Sequence, residues 1–128
     1  MGSLRIHFSN ANFSSSSGPN TFASRLAHQI SYDGYTLADP DDYDVALAFI
    51  EAGRGLNPTK PMVLRLDGIW LKPENFVQNN RRIKESYDRA DHVVFQSRFD
   101  KSMVEKWWGT HRSSNVIMNG IEVPEVLP

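Results

Sequence analysis

Residues 61–68 read Pro-Met-Val-Leu-Arg-Leu-Asp-Gly. An apolar run that opens after a proline and ends in an Asp-Gly turn is the pattern of a short strand buried on both faces, which occurs where helices cover both sides of a parallel sheet. Three further runs repeat it: Leu4 to Phe8, Val45 to Ile50 and His92 to Gln96, with Asn115 to Met118 as a last, shorter one. Between them lie segments of helical period. Phe22, Leu26 and Ile30 recur every four residues beside Ala23 and Ala27, with Pro19 suited to the first turn. Phe76, Ile83 and Tyr87 follow Pro73-Glu74-Asn75, and Phe99, Met103 and Trp107 follow Ser97, which matches a capping box with Asp100 and places this stripe, Trp107 included, toward the core. Gly34 and Gly109 close helices, Tyr35 to Leu37 is a very short strand, and Asp39–Asp44 and Gly53–Pro61 are loops. The pattern predicts an α/β, Rossmann-like, doubly wound and mainly parallel sheet with helices on both faces.

With 128 residues the chain makes one domain, large enough to bury roughly two-thirds of its unfolded surface. Residues 1–120 form the predicted domain; residues 121–128, Ile-Glu-Val-Pro-Glu-Val-Leu-Pro, have linker composition. A net charge of −1 gives no general attraction to nucleic acid, and none is expected as a partner. Without cysteine, disulfides and thiolate metal sites are excluded, and His7, His28, His92 and His111 stand too far apart in sequence for paired ligand spacing, so no metal is expected. The chain shows no signal peptide and no transmembrane run, which predicts a cytoplasmic protein and leaves peripheral membrane contact open.

In an open parallel sheet, ligands sit beyond the carboxyl ends of the strands, so polar residues that terminate a buried strand are the first candidates for chemistry. Asp67 suits accepting a hydrogen bond from a sugar hydroxyl or orienting a nucleophile. Arg65, two residues earlier and therefore on the same side of the strand, suits pairing with Asp67, another carboxylate or phosphate. Equally, Asp67-Gly68 is an ordinary turn and Arg65 an ordinary structural partner. Trp70, just past the strand, fits either the core or a crevice wall on which a sugar or base stacks. The loop from Ser9 to Asn20, with four consecutive serines ahead of Gly18, would let backbone N–H groups and a helix N-terminus approach a diphosphate, or would simply be flexible. Ser97 reads as a helix cap.

Several of these segments together resemble the N-terminal domain of family 4 glycosyltransferases, which have the two-domain GT-B architecture. They are Ser17-Gly18-Pro19 leading into 22–27, Leu64-Arg65-Leu66-Asp67-Gly68, the run from Tyr87-Asp88-Arg89-Ala90-Asp91 to Ser97, and Asn115-Val116-Ile117-Met118-Asn119-Gly120. The resemblance implies a retaining transfer of a sugar from a nucleotide-diphosphate sugar, the co-substrate, to the hydroxyl of a sugar or glycan acceptor, with no cofactor bound by this domain alone. It implies that Ser17 and Gly18 approach the donor diphosphate and that Arg65, Asp67, Gly68 and Trp70 face the acceptor, Asp67 in a catalytic role at its hydroxyl. It further implies a partner, a C-terminal donor-binding domain in cis or trans, whose paired glutamates eight positions apart have no counterpart here. The alternative is a stand-alone, non-catalytic Rossmann-like module that binds a ligand or another protein. A phosphoacceptor receiver is disfavoured because Ser9-Asn10 stands where its acidic pair belongs, and a hydrolase because no Gly-x-Ser-x-Gly elbow occurs.

Overall fold

The computed structural model describes residues 4–11, 18–53, 55–67 and 76–117. Along the chain these form β1 (Arg5–Ser9), α1 (Gly18–Tyr32), β2 (Thr36–Leu37), β3 (Val45–Phe49) and β4 (Met62–Leu66), then α2 (Phe76–Arg89), β5 (His92–Phe95), α3 (Arg98–Trp108) and β6 (Ser114–Val116). The six strands make one sheet in the order β2-β1-β3-β4-β5-β6, and every neighbouring pair is parallel. This is the expected α/β, Rossmann-like architecture.

Side-chain alternation divides the sheet into two faces. On one, Ala46 and Ala48 of β3, Met62, Leu64 and Leu66 of β4, and Val93 and Phe95 of β5 pack with Ile83 and Tyr87 of α2 and Val104 of α3. Met62, Leu64 and Leu66 are essentially inaccessible, so each contributes about 2 kcal/mol of apolar burial. On the other face, Phe8 and Phe49 pack under Ala23 and Ala27 of α1, whose small side chains bring that helix close to the sheet. Helices therefore cover both faces. β4 is buried on both sides, but on the α1 side the buried position is filled by Arg65.

Helix boundaries follow local chemistry. Gly34 takes φ 93° after α1, while Tyr35 N–H bonds the Ile30 carbonyl and Gly34 N–H the Ser31 carbonyl, the two bonds of a Schellman end. Ser97 caps α3: its hydroxyl accepts the Asp100 N–H at 3.1 Å, and Gly109 ends the helix at φ 83°. The face that α3 presents corrects the sequence reading. Val104 is buried and Trp108 packs on the core, whereas Phe99 and Trp107 are 69% and 52% exposed. The bulky side chains of Tyr87 and Phe95 already fill the space below α3, and Tyr87 also meets Trp108 with ring centroids 5.5 Å apart. Val104 is the α3 residue buried in the same cluster.

Two crossovers carry no helix among the described residues. Residues 38–44 carry the chain from β2 across β1 to β3, held by Arg5, whose backbone N–H bonds Asp44 and whose guanidinium pairs with Asp42 and Asp44. Residues 50–61 return from β3 to β4 along α2. They are pinned by Ala52 N–H to the Ser86 hydroxyl at 2.8 Å and by Asn57 N–H to the Tyr43 hydroxyl at 2.9 Å.

Candidate functional site at the carboxyl ends of β1, β3 and β4

In the order β2-β1-β3-β4, the chain leaves β1 toward one edge of the sheet and β3 toward the other. Connections diverging from adjacent strands open a crevice at that point, the usual ligand position in doubly wound sheets. Its walls here are unusually polar and its backbone strained. Ser9, at the end of β1, is buried, and its hydroxyl accepts the Gly53 N–H at 2.6 Å. Asn10 follows at φ 60° and donates its side-chain amide to the Phe49 carbonyl at 2.8 Å. At the end of β3, Ile50 has φ 71°, an outlier for a β-branched residue. The Glu51 N–H bonds back to the Phe49 carbonyl at 2.8 Å, closing a three-residue turn of the rarer, strained γ type. Among the described residues, Asn10 and Ile50 are the two non-glycine residues with positive φ, and both lie at this crevice.

β4 borders it. The Ile50 N–H donates to the Arg65 carbonyl at 2.8 Å, and Phe49 and Arg65 stand in register on the α1 side. The Arg65 side chain is almost fully buried, its guanidinium 3.8 Å from the centre of the Phe22 ring of α1 and ion-paired with Asp67. Stacking and pairing together hold that cation in place. Asp67 itself is part-exposed at the strand's carboxyl end. A carboxylate offers lone pairs on both oxygens, so one contact to Arg65 leaves acceptor capacity for an outside hydroxyl.

Two more acids stand at this end of the sheet. Asp100, in the first turn of α3, has one carboxylate oxygen buried without a hydrogen-bond partner among the described residues. Burial pushes its pKa up, aided by the nearby Asp67 charge and opposed by the Ser97 hydroxyl and Arg65. Glu51 likewise has a buried carboxylate oxygen without a partner among the described residues. No group of three His, Asp or Glu converges as a metal site among the described residues, and no helix there is long and apolar enough to cross a membrane.

The structure therefore brings Arg65 and Asp67 together, with Arg65 turned inward as the group that positions Asp67. Gly18 is the first residue of α1, while Ser17, Gly68, Trp70, Asn119-Gly120 and the segment 121–128 lie outside the described residues. Sequence reasoning missed Asn10, Ile50, Glu51 and Asp100 as neighbours of the crevice. The rule that singled out Asp67, a polar residue ending a buried strand, applies equally to Glu51; nothing local marks Asp100, which reaches the site through the fold. Compared with known proteins, the chain matches no family model, no curated protein and no solved structure, so the fold assignment rests on the strand order and the chemistry on the crevice.

Proposed function

We propose that this chain is the acceptor-side half of a retaining glycosyltransferase, acting in the cytoplasm on a nucleotide-diphosphate sugar and a sugar or glycan acceptor. The observation that carries the reading is Asp67, held by a buried, ring-stacked arginine at the carboxyl end of β4 beside the switch point. A carboxylate fixed in this way fits the acceptor hydroxyl, which it would orient and polarise, and the N-terminus of α1 at Gly18 suits the donor diphosphate. A separate donor-binding domain would complete the reaction by closing over both substrates.

The test uses the native gene product in full, together with any separately encoded donor-binding partner. Turnover of a nucleotide sugar is expected, with Asp67→Asn lowering it roughly a hundredfold while nucleotide affinity holds. Unchanged turnover in that variant would remove Asp67 from the site. Efficient transfer by the purified 128-residue chain alone would overturn the half-enzyme reading. A second reading, a non-catalytic ligand-binding module, is favoured by one observation: Asp67 is ion-paired with an arginine buried against Phe22, an arrangement that serves the fold as well as a site. Ligand binding without turnover by the full product and its partner would decide for it.

A further inference from the structure

On the face opposite α1, the helix-free return from β3 to β4 stands away from α2 and leaves a cavity of about 610 Å³ between them. That volume lies within the range of small-molecule sites. Gly53 and Gly55 line it from the loop, and Arg81, Arg82, Glu85 and Arg89 from the helix. Among the described residues, three guanidinium groups against one carboxylate concentrate positive charge in a chain whose net charge is −1. These cations are not committed to the protein: among the described residues Arg81 and Arg82 enter no ion pair, and Arg89 only reaches the Asn57 carbonyl at 3.5 Å.

The cavity is preformed. Its loop wall is fixed by Ala52 N–H to the Ser86 hydroxyl, which in turn donates to the Arg82 carbonyl at 2.8 Å, and by Gly53 N–H to the Ser9 hydroxyl. A side chain at position 53 would begin 3.0 Å from that hydroxyl, so glycine is what permits the close approach. Across the gap, Arg82 and Arg89 are seven residues apart on one helical face, about 10 Å along the axis, with Glu85 between them. A single small anion cannot engage both ends, whereas an elongated one can. Guanidinium forks pair bidentately with phosphate oxygens.

We propose that this cavity binds a small molecule carrying two or more phosphate groups. The cavity lies on the α2 face of the sheet, whereas α1, whose terminus is assigned above to a donor diphosphate, covers the other face; the Ser9–Gly53 bond is where the cavity meets the crevice. It also stands whether or not the chain belongs to a glycosyltransferase.

The test is calorimetric titration of the 128-residue chain with inorganic tripolyphosphate at low salt, with citrate as a non-phosphate polyanion for comparison. Saturable tripolyphosphate binding that weakens with salt and exceeds citrate binding at least tenfold is expected. Replacing both Arg81 and Arg82 with alanine should weaken it at least tenfold, since each removes a charged hydrogen-bonding group. Glu85→Gln should strengthen it severalfold by removing the opposing charge, a gain that a merely structural glutamate would not produce. All three positions are exposed, and circular dichroism checks that the fold is retained. The proposal is overturned by absence of tripolyphosphate binding, by equal binding of citrate, or by a folded double variant that binds as the parent does.

Discussion

Ile50 carries a conformational cost that its surroundings hold in place. A β-branched residue at φ 71° costs on the order of 1–3 kcal/mol, and the turn survives because its ends are bonded into both neighbouring strands, Asn10 to Phe49 and Ile50 to Arg65. Against that cost stands the partial burial of the Ile50 side chain on the core, about 1–2 kcal/mol. Ile50→Gly removes both, and adds about 0.5–1 kcal/mol of chain entropy in the unfolded state. The terms nearly cancel, so the substitution should change stability by no more than about 1 kcal/mol, where removing a buried isoleucine usually costs 2–5. Urea denaturation with an unchanged m-value measures it. A loss above about 3 kcal/mol would mean the turn is unstrained and the side chain a core anchor. At this scale the sequence was only partly legible. The two-residue spacing puts Arg65 and Asp67 on one side of β4, yet whether Arg65 faces ligand or protein depends on Phe22 of α1, 43 positions earlier.

Among the elements, the central strands β3, β4 and β5 were the most legible because a strand covered on both faces is apolar nearly throughout; each of their boundaries lies within a residue or two of its run. α3 shows where this reasoning stops. Two stripes satisfy helical spacing, Phe99-Met103-Trp107 and Val104-Trp108, and periodicity alone does not say which one meets the sheet. The chain's path out of β5 through the Ser97 cap sets the rotation, and it places Val104 inward. Val104→Ala should therefore cost about 2 kcal/mol, two methyl groups plus the space they leave. Trp107→Ala, which removes a far larger but half-exposed side chain, should cost less. Paired thermal unfolding curves compare the two, and the reverse order would restore the stripe read from sequence. The 50–61 return was legible as a loop but its cavity was not, since the contacts that hold it come from Ser9, Tyr43 and Ser86 in three separate elements.

For the molecule as a whole, stability in acid is a contest between carboxylates shifted in opposite directions. Asp44 holds the crossover from β2 to β3 against β1; the Arg5 backbone N–H first, then its guanidinium, keep the Asp44 pKa below the usual carboxylate value. A lowered folded pKa contributes stability that is present above the unfolded value and lost as the pH falls through the folded one. Asp100 works the other way. Burial raises its folded pKa, so its charge costs stability at neutral pH, and protonation relieves that cost as the pH falls through the raised value. The two variants should therefore part company. Asp44→Asn should be less stable than the parent at neutral pH, with the difference closing as the pH drops below the ordinary carboxylate range. Asp100→Asn should be more stable at neutral pH, with its advantage shrinking earlier in the descent, as the parent's own Asp100 takes up its proton. Thermal midpoints of the three proteins, measured in steps from neutral pH into acid, provide the comparison. A less stable Asp100→Asn at neutral pH would show that the helix N-terminus and Ser97 outweigh the burial. The expected gain would instead mark Asp100 as an acid retained at the crevice despite its cost to the fold, beside the carboxylate proposed to meet the acceptor.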